Sequence, residues 1–492
     1  MKDLKQRALR GGLARVCSQG ANFLLRMGSL MVLARLLDPK DFGLVGMVTA
    51  MIGVFSVFRD FGLSAAAVQR GNITKEQSST LFWINLLAGA VLALLTALSG
   101  PFVARFYHEP RLVGVTAVLA TGFLFNAAGV QHTSILERGL RFTALSVLDI
   151  IPLGVSILVG IGMAFAGLGY WALVATSTVG PLVYTIGVWI TTKWIPGWPS
   201  RQIGIRSMLH FGGTLTLNGL VMYISSNLDK VLLGRFWGVE ALGIYGRAFQ
   251  LINIPTDNLN SAAGSVAFAS LSRLQDDPNR LKNYFLKGYS LVLSFTVPIT
   301  FTVALLAEDM IRVMLGPKWS SAITVFRLLA PTALAFAMLG PLGWLITSLG
   351  LVVRGLKMAL VFGPLMVVAY ILGLSHGPHG VAFAYSAMKL LTVIPAALWA
   401  IHGTVITLRD ILVTLSKPLL SGLFATCLTF GLEPLYNSQL PPLLRLVISI
   451  SIFAAAYIGM MFYVMGMKDF FIDIFKGFVQ SETPAESSLE LR

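Results

Sequence analysis

The sequence predicts an all-α polytopic membrane protein of about fourteen transmembrane helices, and three observations carry that expectation. First, 55% of its 492 residues are hydrophobic and only 12% are charged, with a mean hydropathy of +0.77. A soluble globular chain carries roughly 25% charged residues. Second, windows of about 20 residues, the length that crosses the hydrocarbon, recur along the whole chain. Third, Lys and Arg fall mainly in alternate connections between those windows, as the positive-inside bias requires.

The windows lie near 14–37, 42–67, 81–104, 112–136, 143–166, 168–192, 207–236, 241–270, 286–306, 322–349, 356–374, 379–402, 412–431 and 443–466. The basic start, Met1 to Arg10, resembles the n-region of a signal peptide. The apolar run behind it is interrupted by Arg15 and Arg26 and shows no small-residue cleavage site, so an uncleaved first helix is expected. The first, seventh and eighth spans are the least apolar. With the N-terminus in the cytoplasm, 23 Lys and Arg fall on the inner side against 8 on the outer, and the remaining 6 of 37 lie within helices. Inverting the topology reverses this bias, so both termini are expected to be cytoplasmic.

The net charge of +15 does not signal nucleic acid, because the cations are scattered between apolar spans rather than gathered on one face. Cys17 and Cys427 fall in separate predicted helices and read as buried packing thiols. The segment Lys193-Trp-Ile-Pro-Gly-Trp-Pro-Ser-Arg201 reads as a hinge, with Trp194 and Trp198 suited to a headgroup belt. The polar, acidic tail from Ser481 is expected to be disordered.

An internal repeat appears at an offset of 200: Arg35-Leu-Leu-Asp-Pro-Lys-Asp-Phe-Gly-Leu-Val-Gly46 aligns without gaps on Arg235-Phe-Trp-Gly-Val-Glu-Ala-Leu-Gly-Ile-Tyr-Gly246. The arginine and both glycines coincide, Phe42 meets Leu242, Asp60 meets Asn260 and Ala67 meets Ala267. Six spans separate the copies, so both halves enter the membrane in the same direction, a parallel repeat about the membrane normal. The expected division is a six-helix bundle over 1–192, a cytoplasmic linker over 193–206, a second six-helix bundle over 207–402, two further helices over 403–480 and a tail over 481–492.

Basic residues inside apolar spans mark functional sites by default, since each costs about 2.5–3.5 kcal/mol at mid-bilayer depth. Four such residues, Arg26, Arg59, Arg247 and Lys389, are the candidate substrate-binding cations. They suggest an anionic substrate, which guanidinium matches with a fork suited to phosphate oxygens. Arg26 has a structural ion pair as its alternative role. Arg247 lies nearer the outer end of its span and has a gate or snorkelling role as its alternative. Candidates for coupling or gating are Asp60, beside Arg59; Asp149, ahead of Pro152; the cluster Asn227, Asp229 and Lys230; and Asp257, which follows Pro255 where a proline frees a backbone carbonyl. A carboxylate at such a break could take H⁺ or Na⁺. No metal spacing, phosphate loop or catalytic triad occurs, so the chain reads as neither metalloenzyme nor ATPase.

The motif Leu33 to Gly46, followed by Phe58-Arg-Asp-Phe-Gly-Leu-Ser64, resembles the N-terminal signature of Wzx-type polysaccharide flippases. These belong to the multidrug/oligosaccharidyl-lipid/polysaccharide superfamily, and the resemblance is to its exopolysaccharide, colanic-acid-like branch. It implies a V-shaped pair of six-helix bundles in the bacterial inner membrane. It also implies outward movement of undecaprenyl-diphosphate-linked oligosaccharide for exopolysaccharide or O-antigen export, by alternating access driven by membrane potential or an ion gradient. Related lipid II flippases use lumenal arginines on the first, second and eighth helices, and Arg26, Arg59 and Arg247 lie on those helices here. Expected partners are the polyprenyl-diphosphate-linked glycan and the bilayer, with polysaccharide polymerase or export proteins as candidates; nucleic acid and cofactors are not expected, H⁺ or Na⁺ coupling aside. Rival readings are a multidrug cation antiporter of the same superfamily, a membrane-bound glycan-polymerising enzyme, and a non-transporting scaffold of a glycan-assembly complex.

Overall fold

The computed structural model describes residues 2–58, 74–139, 141–199, 206–435 and 440–473. Helices α1 (Lys2–Leu36), α2 (Pro39–Val57), α3 (Lys75–Tyr107), α4 (Leu112–Arg138), α5 (Phe142–Phe165) and α6 (Tyr170–Thr192) pack with one another. Helix α7 (Arg206–Leu271) leaves helical geometry at Gly238, with φ 81° and ψ −170°, a conformation that suits glycine. Its arms, α7a over 206–237 and α7b over 239–271, fold back on each other, so Tyr245 on one donates its hydroxyl to Asp229 on the other at 2.7 Å. Helices α8 (Pro278–Leu305), α9 (Ala307–Met314), α10 (Ala322–Ser348), α11 (Val352–Leu374), α12 (Gly377–Ile401), α13 (Leu408–Leu432) and α14 (Pro442–Gly459) complete the chain.

Among the described residues, and counting each arm of α7, fourteen long helices overlap the expected spans, α2 being described to Val57; α9, with 8 residues, is too short to cross. Among the described residues, eleven helices are apolar and long enough by length and composition to cross a membrane, and α1 and α7 are not among them. These are the spans whose polarity the sequence marks. In lipid, helices satisfy every backbone group internally, which is why so apolar a chain folds this way. Local signals set the ends. Pro39 opens α2 behind Asp38, whose backbone N–H donates to Asp41 Oδ2 at 3.1 Å. Thr74 and Gln77 form a reciprocal cap on α3.

The two copies of the repeat meet face to face. A Cβ on Gly43 would run into the Val239 carbonyl, and a Cβ on Gly243 would run into the Pro39 carbonyl. Position 39 corresponds to 239 and position 43 to 243, so the crossing of α2 and α7b is reciprocal, as at a local two-fold axis. Lys40 and Glu240, again 200 apart, form an ion pair at 3.5 Å across it. Around this crossing one end of the molecule is sealed. Arg35 donates to the Val313 carbonyl at 2.5 Å, and Arg235 reaches His108 Nδ1 at 2.8 Å. Each arginine of the repeated motif thus leaves its own half and grips the other. Trp319 Nε1 donates to the Ala34 carbonyl at 2.8 Å with its ring edge-on to Phe42, and Lys318 pairs with Asp38 at 2.8 Å. One continuous apolar core, from Leu30 and Met47 to Leu233, Tyr245, Phe326 and Tyr385, fills this end. Further from it, the Tyr223 hydroxyl donates to the carbonyls of both Thr49 and Ala50, each at 3.1 Å.

Two expectations change. The segment after α6 is docked rather than a free hinge: Trp83 Nε1 donates to the Gly197 carbonyl and Gly197 N–H to Ser79 Oγ, both at 2.9 Å. Trp194 turns inward against Phe82 and His132, and only Trp198, 90% exposed, keeps a belt position. Edge-to-face aromatic packing gives that dock its preference over water. Cys427 is exposed on α13 instead of packed, because its helix turns that face outward.

Helices α13 and α14 attach to the second half. Arg445 forms a two-pronged ion pair with Asp309, the latter 7% exposed, and Lys282 pairs with Asp410 at 2.6 Å.

Two stability predictions result. Gly43→Val and Gly243→Val each overpack the crossing, at about 1–3 kcal/mol, and both should lower the melting temperature in detergent by several degrees. Gly122→Ala, where a Cβ meets open space, serves as the unchanged control. Arg445→Met leaves the Asp309 carboxylate buried and alone, at about 3–5 kcal/mol. Its melting temperature should therefore fall further than that of Arg445→Met combined with Asp309→Asn.

Candidate functional site

Just below the sealed crossing, α2 and both arms of α7 line an open-mouthed cavity of about 340 Å³. Its lining includes Phe42, Gly46 and Thr49 from the first half and Lys230, Gly246, Arg247, Phe249, Gln250 and Asn253 from the second. Gly46 and Gly246, the second glycine pair of the repeat, leave this space open; a Cβ on Gly246 would meet nothing within 4 Å.

Two cations face the cavity. Arg247 is half-buried, its guanidinium 4.1 Å from the centroid of the Phe42 ring and hydrogen-bonded to Gln250 Oε1. Lys230 donates to Asn227 Oδ1 at 2.8 Å and lies 5.1 Å from the Phe249 centroid. Counting 1.5 Å per helical residue from Gly238, Lys230 and Arg247 lie about 12 and about 14 Å deep, side by side on the two arms. The aromatic faces hold the cations by their negative quadrupoles without neutralising them. Such a pair can bind a polyanion: the guanidinium as a planar fork, the ammonium as a point charge.

Arg247 therefore does not sit as a rim residue. Its side chain turns onto Phe42 and into the cavity, since α7b runs back from Gly238 along α2. Asn227 and Lys230 join it, through the hydrogen bond between them. Asp229 faces away, 1% exposed, with Oδ2 accepting from Tyr245 and Oδ1 enclosed without a hydrogen bond. Asp229 and Lys230, about 100° apart as neighbouring helical residues, hold separate hydrogen-bond partners, Tyr245 and Asn227.

Lys389 is half-buried on α12, its Nζ 5.2 Å from the Phe336 centroid and 5.7 Å from that of Tyr385. Tyr385 lies 5.6 Å from Phe249, so two aromatic rings, Tyr385 and Phe249, lie between Lys389 and Lys230. Arg26 is exposed on α1 and is not among the cavity-lining residues. Asp149 is on the exposed side of α5. Arg59 and Asp60 lie outside the described residues. Asp257 belongs to α7b, which stays helical through Pro255 rather than breaking there, and its side chain is outside the described set. Among the described residues no three His, Cys, Asp or Glu side chains gather as metal ligands. Phe42, Thr49, Gln250 and Asn253 are lining residues that sequence reading passed over. The offset-200 alignment held the clue, because it places Gly46 and Gly246 opposite one another.

The family profile described as polysaccharide biosynthesis protein matches residues 32–324. The chain is similar to the teichuronic acid biosynthesis protein TuaB of Bacillus subtilis, 29% identical over 296 residues, or 59% of this chain and 61% of that one. That match spans less than two thirds of TuaB. It is also similar to the lipopolysaccharide biosynthesis protein WzxC of Escherichia coli, 24% identical over 377 residues, 75% of this chain and 76% of that one. A probable low-salt glycan biosynthesis flippase, Agl15 of Haloferax volcanii, is 20% identical over 400 residues, 78% of this chain and 80% of its own. Among solved structures, the lipid II flippase MurJ superposes with a TM-score of 0.73 at 14% identity, covering 94% of this chain and 99% of that one. A multidrug resistance MATE family transporter superposes at 0.62 and 15% identity, covering 79% and 97%. With the matched profile spanning more than half of its length, this multi-pass membrane protein belongs to the polysaccharide biosynthesis protein family, on a fold shared with the MurJ and MATE transporters.

Proposed function

We propose that this protein is a flippase, moving a polyprenyl-diphosphate-linked oligosaccharide across the bilayer by alternating access without chemically altering it. The observation that carries the reading is the pairing of Arg247 and Lys230 at one depth in a cavity lined by both halves of the repeat. A lipid diphosphate is the polyanion that a membrane-embedded cationic cavity suits, and its polyprenyl tail can remain in lipid. The relatives named for polysaccharide and glycan biosynthesis support this substrate class. A cationic drug would meet like charge here, which disfavours the multidrug reading.

The Lys/Arg distribution supports an orientation with the sealed end, with Arg35, Arg235 and Lys318, periplasmic and both termini cytoplasmic. The cavity then receives substrate from the cytoplasmic leaflet. The bundles over 1–192 and 207–402 are the rocking units, and 403–480 an addition. Arg26, Arg59 and Lys389 are further cations along the route, with Asp60, Asp149, Asn227, Asp229 and Asp257 as the coupling or gating set. Each negative charge moved outward gains about 2.3 kcal/mol per 100 mV of interior-negative potential, so membrane potential favours export, with or without coupled H⁺ or Na⁺.

Charge removal tests the reading. Arg247→Gln and Lys230→Gln should each lower transport at least tenfold and cause the lipid-linked intermediate to accumulate, while Arg247→Lys retains part of the activity. Normal export from both glutamine variants would overturn the anion cavity. In sealed vesicles, collapsing the potential should slow flipping severalfold; an unchanged rate would rule out charge movement as the drive.

A further inference from the structure

The clasps around the sealed end differ in how they respond to protons. Arg35 and Trp319 donate to backbone carbonyls, those of Val313 and Ala34, and carbonyls do not titrate. Lys40 and Lys318 pair with the carboxylates of Glu240 and Asp38. Among the described residues, only the Arg235 clasp meets an imidazole, Nδ1 of His108, at 2.8 Å. Of the ordinary side chains, imidazole is the one that changes charge between pH 5 and 8.

The partner decides which ring nitrogen carries the proton. A guanidinium has N–H donors, no acceptor, and no neutral form in proteins. Nδ1 must therefore accept, so His108 in the sealed form is neutral with its proton on Nε2. Protonating Nδ1 removes the lone pair that Arg235 uses and sets a second positive charge against the first. The clasp and the imidazolium exclude each other.

Both partners are held in place. His108 ends α3 in the left-handed conformation, φ 58° and ψ 36°, its backbone N–H bonded to the Ala104 carbonyl. Glycine is the usual occupant of such a helix end, and a side chain is placed there against a steric cost. Arg235 is half-buried, its guanidinium 5.5 Å from the Phe106 centroid. The surrounding carboxylates are engaged elsewhere. Glu109, next along the chain, is held at 3.0 Å by Arg111, which faces Tyr170 of α6. On α2, Asp38 is held by Lys318 and Asp41 accepts from the Asp38 backbone; on α7b, Glu240 is held by Lys40. Arg105 on α3 adds like charge, and the phenols of Tyr107 and Tyr170 add none between pH 5 and 8. His108 itself is exposed, within reach of protons from solvent.

We propose that His108 is a proton-operated release for the sealed end: a proton bound at Nδ1 breaks the Arg235 clasp and shifts the molecule towards opening there. The sign follows from linkage. The sealed form excludes this proton and the open form admits it, so the clasp contributes fully at pH values above the imidazole range and is lost as pH falls through it. The proposal rests on the alternating-access reading above and adds that acid at this end promotes opening at this end.

Two nitroxide labels across the sealed end provide the test, on Leu168→Cys in the first half and Ser321→Cys in the second, both exposed positions. The protein is full-length, purified in detergent, and has Cys17 and Cys427 replaced by serine. From pH 8 to pH 5.5 the ratio of long to short label separations should rise about 3–10-fold, within the limit of about tenfold per pH unit that one proton sets. His108→Asn keeps an acceptor oxygen in place of Nδ1, suits the left-handed conformation and does not titrate, so it should stay sealed at both pH values. Arg235→Gln should raise the open fraction at both and lose the response to acid. Replacing His376 and His379, at the start of α12, by asparagine should leave the response intact. A response that persists in His108→Asn, or that disappears with His376 and His379, would overturn the proposal. Melting temperature checks folding, and His108→Gln provides the same comparison should the asparagine variant fail to fold. Labels that separate in Arg235→Gln but not on acidification of the parent protein defeat the proton release alone. Labels with one fixed separation in every variant at both pH values defeat the rocking of the halves, and the release with it.

Discussion

Two backbones in contact, α2 and α7b at Gly43 and Gly243, set the geometry of this molecule. No side chain fits between them, so the helices cross at the distance that bare backbone allows. Everything that joins the two halves at the sealed end is arranged around that point: the Lys40–Glu240 pair, the exchanged grips of Arg35 and Arg235, and Trp319 against Ala34 and Phe42. The crossing itself relates residue n to residue n+200 in both directions, and the clasps around it use different partners in each half. The cavity is the next layer down, and its depth follows from where the crossing stops and the second glycine pair begins.

The placement of charge is the second constraint. The cavity cations are kept ionisable and available by contacts that do not cancel them: aromatic faces and amide oxygens rather than carboxylates. The carboxylate adjacent in sequence, Asp229, is turned elsewhere, to Tyr245. In a medium where charge burial is costly, this separation preserves an unneutralised positive site.

Much of this was legible in the sequence because lipid simplifies the code. Span length, cation asymmetry and the gapless repeat gave the helix count and the internal pairing of halves, down to the polarity of the first, seventh and eighth spans. The site was less legible. Depth along a span ranked Arg247 below Arg26, but side-chain direction, not depth, decides what a residue faces; Arg247 turns onto Phe42 while Arg26 stays off the cavity wall. Hydropathy carries no information on direction, and Lys230 could be read correctly only once the turn at Gly238 laid the two arms side by side. The docking of Gly197 was hidden for a related reason. It depends on Ser79 and Trp83, more than a hundred residues away, and no local pattern announces a partner at that separation.

The Tyr223 hydroxyl carries one proton and sits 3.1 Å from two successive carbonyls of α2. A donor shared equally between neighbouring acceptors does not select a single register. The proton can favour Thr49 or Ala50 and has an acceptor in either case. On the proposed rocking of the two halves, the glycine crossing would be the fulcrum and this shared donor a bearing that holds through a small rotation.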